Sequence, residues 1–266
     1  MELFFRKIGK NKPTLIVLHG LYGSSDNWMN LARYWSKYYE VYLVDLRNHG
    51  RSPHSKTHSY KAMRDDILSL MDNQKIQKAI VLGHSMGGKL AMRLAMDYPK
   101  RINALIVVDI APKNYISENN KQLQKHRNIL KAMQKLKLEQ FQRREEIDSF
   151  LSKLIPEERV RQFIMKNIKR NKDSSFSWKL NLPVIQSEIE NITQGFSEHE
   201  IKKNVSGFPV LFIKGEQSDY ILENDKAIIE SIFPSSEMQT IPNAGHWVHA
   251  EQSEQLSKLV LNFLEG

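Results

Sequence analysis

The 266-residue chain contains no cysteine. Disulfides, thiolate nucleophiles and zinc sites with sulfur ligands are thereby excluded, although the lack of cysteine does not define a compartment. No apolar run approaches the roughly 18 residues of a membrane-spanning helix. The first thirteen residues are interrupted by Arg6, Lys7, Lys10 and Lys12, so neither a membrane anchor nor a signal peptide is expected and a cytoplasmic location is the default. Internal repeats, low-complexity tracts, a phosphate-binding Gly-rich loop and a dinucleotide fingerprint are all missing, and no cofactor is expected. His54 and His58 lie in a polar stretch without a set of carboxylate ligands. They read as part of a solvated loop, and no metal is expected.

What is present is the composition of an ordinary globular protein, 41% hydrophobic and 26% charged. The net charge of +9 is unevenly spread: residues 112–204 hold 19 Lys/Arg against 12 Asp/Glu, and the remainder holds 20 against 18. A solvated helical surface accounts for that basic segment. Its functional counterpart is attraction of anionic substrates such as acyl-phosphopantetheine or CoA esters. No aromatic or helix-turn-helix motif accompanies the charge, so nucleic acid is not an expected partner.

Apolar, β-branched runs recur at Thr14–Leu18, Val41–Val44, Ala79–Leu82, Ala104–Val108 and Val210–Ile213. Helical spacing fills the stretches between the early runs, over Ser25–Tyr38, Tyr60–Asn73 and Met86–Tyr98. Such alternation predicts an α/β fold, a mostly parallel, doubly wound sheet covered on both faces. The rhythm breaks after Pro112 and resumes at Phe208, and the intervening stretch carries helical patterns over Lys121–Phe141, Glu145–Leu154 and Glu157–Ile168. A core of residues 1–112 and 205–266 with an inserted helical cap, or lid, of residues 113–204 is the expected organisation. Monomer and homodimer both remain open.

The chemistry centres on Gly83-His84-Ser85-Met86-Gly87. A bare Gly-x-Ser-x-Gly is a weak signal, but here it leaves an apolar strand and opens a helix, the setting in which a sharp turn exposes a nucleophilic serine. Glycines on both sides give such a turn room. Serine at its free pKa is a poor nucleophile, so a histidine must accept its proton and a carboxylate must orient that histidine. His246, in the loop Pro242-Asn243-Ala244-Gly245-His246-Trp247 before the terminal helix, is placed for the base. His249 reads as a helix-start or surface histidine and His84 as a packing and orienting group. For the acid, Asp109 ends the run Ala104–Val108. In most enzymes that this chain resembles the acid comes after the seventh strand in a Gly-x-x-Asp pattern, but here Gly215-Glu216-Gln217-Ser218 puts serine there and Asp219 one residue late. Asp109 is the preferred acid and Asp219 the alternative.

An acyl-transfer site also needs two donors for a developing oxyanion. The backbone N–H groups of Met86, directly after the serine, and Leu21, in His19-Gly20-Leu21-Tyr22-Gly23, are the candidates. The segment Asp45–Ser52 reads as a structural loop with local ion pairing.

Five stretches together, HGLYGSSDNW at 19–28, VDLRNHGRS at 44–52, GHSMGGK at 83–89, VDIAP at 108–112 and PNAGHWVHAE at 242–251, resemble the α/β-hydrolase superfamily and, within it, the small bacterial YbfF-like esterases. The likeness spans nearly the whole chain. It implies a cap matching residues 113–204, hydrolysis of acyl esters and acyl-CoA thioesters, and a Ser85–His246–Asp109 triad working through an acyl-enzyme. Tyr22, Trp178 and Trp247 are the expected substrate-binding residues, with Phe163 and Phe176 as further aromatics able to line an acyl pocket. A same-fold C–C hydrolase, lyase or perhydrolase, and a non-catalytic ligand-binding homologue, are the competing functions.

Overall fold

A computed structural model describes residues 1–116 and 121–265. Of the segment read as an insertion, residues 117–120 lie outside the described residues. The strands are β1 (Phe5–Ile8), β2 (Thr14–Leu18), β3 (Glu40–Val44), β4 (Ala79–His84), β5 (Ile102–Val108), β6 (Ile168–Arg170), β7 (Phe176–Trp178), β8 (Val210–Gly215) and β9 (Ser236–Ile241). Before β8 the helices are α1 (Met29–Trp35), α2 (Tyr60–Asn73), α3 (Met86–Asp97), α4 (Lys121–Lys135), α5 (Arg144–Ser152), α6 (Glu158–Met165), α7 (Leu182–Ser187), α8 (Ile189–Thr193) and α9 (Glu198–Ile201). After it come α10 (Lys226–Ile232), α11 (Val248–Glu251) and α12 (Ser253–Glu265).

Seven strands form one sheet in the order β1-β3-β2-β4-β5-β8-β9. The pairing of β1 with β3 is antiparallel, and every other pairing in this sheet is parallel. Period-two alternation assigns the strand side chains to two separate cores. Ile16, Leu18, Val81, Leu105 and Val107 pack on one face with α2 and α3, whereas Leu15, Val17, Ile80, Leu82, Ile106 and Val108 pack on the other with α1 and α12. Being covered on both faces is why these strands read as continuous apolar runs.

Chain order reverses at β2: β3 lies on one side of it and β4 on the other. At such a switch point the loops leaving the two neighbouring strands diverge and open a crevice at the carboxyl edge of the sheet. Here those loops are residues 19–23 after β2 and the turn at Ser85 after β4.

Two expectations need correction. The stretch between β5 and β8 is not purely helical, since β6 and β7 form an antiparallel hairpin within it. Ile168, expected to end a helix, instead pairs with Trp178 in that hairpin. Three-residue strands are too short to display alternation. The edge strand β1 also went unread, because Arg6 and Lys7 interrupt it and only four residues pair. Apolar side chains from the stretch between β5 and β8, among them Leu123, Ile147, Ile164 and Ile185, join the same buried cluster as α2 and α3. Among the described residues, no helix is long and apolar enough to cross a membrane.

Candidate active site

Ser85 sits between β4 and α3 with φ 54° and ψ −119°, a backbone conformation that L-residues seldom adopt. Three hydrogen bonds hold it there. Its N–H reaches the carbonyl of Val108 at 3.0 Å, and its own carbonyl accepts from the N–H groups of Gly88 and Lys89 at 2.9 and 3.1 Å. The flanking glycines are required by close approach. A Cβ on Gly83 would stand 2.2 Å from the carbonyl oxygen of Gly87, and one on Gly87 would stand 2.3 Å from that of Leu18. The Gly-x-Ser-x-Gly spacing thus lets α3 start directly against β2.

His246 Nε2 lies 3.0 Å from Ser85 Oγ, and His246 Nδ1 lies 2.7 Å from Asp109 Oδ2. Residues separated by 161 and 137 positions are thereby joined in one hydrogen-bonded chain. Asp109 is fully buried and, like Ser85, has a positive φ, 51°. Its Oδ1 accepts the Gly215 N–H at 3.0 Å, and its Oδ2 accepts the Ser218 hydroxyl as well as His246. Asp219, the alternative acid, is exposed, and among the described residues its carboxylate has no hydrogen bond to His246. Ser218 therefore occupies the place of the commoner acid and supports the carboxylate of Asp109.

Burial pushes the Asp109 carboxyl up from its ordinary value, and the hydrogen bonds from Ser218 and Gly215 oppose it. Burial also pushes the His246 imidazole down, with the nearby Lys125 cation acting in the same direction. A neutral imidazole beside a serine hydroxyl is the protonation state a general base needs.

Around His246, the ring of Tyr220 stacks at 3.6 Å and 14°. The Tyr220 hydroxyl lies 3.2 Å from Nε2 of His126. His84 Nε2 donates to the His246 carbonyl at 2.8 Å, and burial holds His84 down at about 3, hence neutral. His84 thus orients the loop that carries His246. Sequence reasoning missed Ser218, Tyr220 and His126. Only Ser218 left a trace, as a serine where an acid was expected.

The loop after β2 is fixed by two further neutral histidines. His19 donates from Nδ1 to the Gly20 carbonyl at 2.8 Å and accepts the Leu46 N–H on Nε2 at 3.0 Å. His49 donates from Nδ1 to the Arg47 carbonyl at 3.0 Å and accepts the Tyr22 N–H on Nε2 at 3.2 Å. Leu21 and Met86 line one narrow cavity together with Ser85, and no protein acceptor takes up the N–H of either among the described residues. Tyr22 and Trp247 line an adjoining cavity that also contains Ser85, His246 and Phe163.

Trp178 lines neither cavity. It lies on the β6–β7 hairpin, half-buried against the main apolar cluster, and Phe176 is buried in that cluster too. Other expectations change as well. His58 is not solvated but fully buried against His49, with ring centroids 5.2 Å apart and, among the described residues, no hydrogen-bond partner for either ring nitrogen. His249 is no surface group: it is buried, its ring stacked on Trp28 at 4.5 Å. In the loop after β3, Arg47 pairs not with Asp45 but with Asp66 of α2, through Nε at 2.7 Å and Nη2 at 2.8 Å. Asp45 accepts the backbone N–H groups of Ser25 and Arg51 at 2.6 and 2.8 Å.

Residues 13–253 match the family model described as alpha/beta hydrolase fold. The chain is 34% identical over 264 residues to the sn-1-specific diacylglycerol lipase ABHD11 of Danio rerio, covering 97% of this chain and 80% of that protein. It is 33% identical to Esterase YbfF of Escherichia coli, covering 96% of this chain and 94% of that one. Among solved structures, a marine microorganism esterase superposes with a TM-score of 0.93 at 40% identity, over 98% of this chain and 99% of the other.

Proposed function

Since the chain belongs to the α/β-hydrolase fold family and is a hydrolase acting on esters, we propose that it cleaves carboxylic esters and thioesters through an acyl-enzyme on Ser85. His246 is the general base and acid and Asp109 the acid of the triad. The observation that carries this reading is the position of His246, 3.0 Å from the serine hydroxyl and 2.7 Å from the buried carboxylate.

Ser85 Oγ attacks the carbonyl carbon while its proton passes to His246 Nε2. The imidazolium that forms is stabilised by Asp109 through Nδ1. The carbonyl oxygen becomes an oxyanion held by the N–H groups of Leu21 and Met86. Each such donor contributes on the order of 10² to 10³ in turnover, because it is fixed in place before the charge develops. His246 then gives its proton to the departing alcohol or thiol, leaving the acyl group on Ser85. Water attacks the acyl-enzyme, His246 takes up its proton, and the carboxylic acid leaves with Ser85 restored. Tyr22 and Trp247 would contact the substrate.

We read the stretch between β5 and β8 as a cap over this site, because it supplies His126, Phe163 and Thr193 to the walls of the two cavities at Ser85.

The test is labelling with a serine-directed fluorophosphonate, followed by peptide mapping, alongside turnover of ester and CoA-thioester substrates. Modification of Ser85 with loss of both activities is expected. Full turnover by Ser85→Ala would overturn the mechanism. Turnover of esters with none of thioesters would remove the thioester half of the proposal.

A further inference from the structure

Tyr22, like Ser85 and Asp109, has a positive φ, 62°. The Gly23 N–H donates to the Gly20 carbonyl at 2.9 Å and closes a four-residue turn with Leu21 and Tyr22 at its centre. A left-handed angle at the third position of such a turn is the place of glycine or asparagine. A bulky aromatic residue is strained there, and it persists only when its surroundings over-determine it.

Two side chains do so, one on each of its peptides. The Tyr22 N–H goes to His49, as described above, and the Tyr22 carbonyl accepts from Nδ2 of Asn167 at 2.8 Å. Asn167 is 145 positions away in the chain, between α6 and β6, in the stretch read as the cap. Both residues are buried. Only the NH2 end of an asparagine amide can donate to a carbonyl, which fixes how this side chain is turned.

Asn167 is itself clamped. Its N–H donates to the Ile164 carbonyl at 2.9 Å, and its carbonyl accepts the Lys179 N–H at 2.8 Å. Arg144 of α5 donates to the carbonyls of Met165 at 2.7 Å and Ile168 at 2.9 Å, one on either side of it. A donor supported in this way holds its partner to one geometry.

We propose that Asn167 is a positioning residue for the oxyanion site: by holding the Tyr22 carbonyl, it keeps the turn in its strained form and the Leu21 N–H aimed beside Ser85. The stretch between β5 and β8 then completes the catalytic apparatus as well as walling it. Without the amide, the Tyr22–Gly23 peptide is free to rotate, φ of Tyr22 relaxes to negative values, and Leu21 moves with it. The proposal rests on the reading of Leu21 and Met86 as oxyanion donors. An oxyanion exists in the transition states and not in the bound ester, so the loss falls on kcat and spares KM.

Turnover of 4-nitrophenyl acetate and inhibition by an aliphatic trifluoromethyl ketone test this together. Ser85 Oγ adds to the ketone carbon, its proton passes to His246, and the carbonyl oxygen becomes a lasting oxyanion. Asn167→Ala and the near-isosteric Asn167→Asp both lack the donor. Each should lower kcat about 10- to 100-fold, keep KM within about threefold, and weaken the ketone by the same factor as kcat/KM. Where neither folds by circular dichroism, Asn167→Ser, which draws the donor back from the carbonyl, should show the same split.

Glu200→Ala is the control. It breaks the ion pair between α9 and Arg93 of α3 at 3.0 Å, another tie between that stretch and the sheet's helices that does not touch the Tyr22 turn. Its kcat and ketone affinity should stay within about twofold of the wild type. A raised KM with unchanged kcat in the Asn167 variants, an unchanged ketone affinity, or an equal fall of kcat in Glu200→Ala would overturn the inference while the triad stands. Ester turnover that persists in Ser85→Ala, or a ketone that does not inhibit the wild type, would instead overturn the acyl-transfer reading itself.

Discussion

Ser218 donates its hydroxyl to Oδ2 of Asp109, the same carboxylate oxygen that meets Nδ1 of His246. The residue standing where the commoner acid would be therefore serves the carboxylate that follows β5, the acid of the proposed triad. Gly215 N–H completes the set on Oδ1. A buried carboxylate with three partners is held in one orientation and remains able to stabilise an imidazolium.

Turnover should separate the two aspartates. Ser85→Ala and His246→Ala are expected to lower kcat by about 10⁴ to 10⁶, and Asp109→Asn by about 10⁴. Asp219→Asn should stay within a few-fold of the wild type. Circular dichroism of each variant checks that the fold persists. An inactive Asp219→Asn beside an active Asp109→Asn would reverse the choice of acid.

The pH profile of kcat/KM should report the His246–Asp109 pair as one titrating unit. The working form has a neutral imidazole and an ionised carboxylate, so one proton gained by the pair as pH falls removes the base. Activity is expected to rise with pH through the pair's pKa and then level off. Ser218→Ala removes a bond that favours the ionised carboxylate, whose pKa burial already raises. The acid limb should then move to higher pH, by roughly one unit. An unmoved limb would show that Ser218 has no electrostatic role.

Gly87→Ala tests the close approach of α3 to β2. The added Cβ would meet the carbonyl oxygens of Leu18 and His19 at 2.3 and 2.6 Å. Backbone at the end of a central strand cannot yield without displacing Leu21 from Ser85. The expected cost is about 1–3 kcal/mol in urea unfolding with a fall of roughly 10² in kcat for the folded fraction. Wild-type rates would contradict the account of the turn.

Asp66→Ala leaves the Arg47 guanidinium without its buried carboxylate, both side chains being nearly inaccessible to water. Breaking such a pair from one side typically costs about 3–5 kcal/mol. Urea denaturation should show that loss, and kcat per folded molecule should change little, because Asp66 lines neither cavity at Ser85.

Much of this protein was legible in the chain because its signals are local. The runs at 14–18, 79–82 and 104–108 read as strands from their apolar, β-branched content, they pair as neighbours in the sheet, and the helices on either side bury both of their faces. The turn at Ser85 was legible for the same reason: strand, two close-approach glycines and helix follow one another within ten residues. Where a signal was short or charged, as in β1 with Arg6 and Lys7 or in the three-residue strands β6 and β7, periodicity had nothing to act on.

What the chain order by itself determined is the set of chemical groups: a serine on a strained turn, a histidine before the last helices, and two aspartates after strands. Which aspartate meets the histidine was decided only in space. Asp109, after β5, and His246, after β9, come together because only β8 stands between those two strands in the sheet, and the turn after β8 brings Ser218 over the end of β5. Likewise, Arg47 finds Asp66 instead of Asp45, and Trp178 joins the apolar cluster away from the cavities at Ser85. Pairing across a sheet depends on strand order and twist, properties of the whole packed chain that no local run of residues carries.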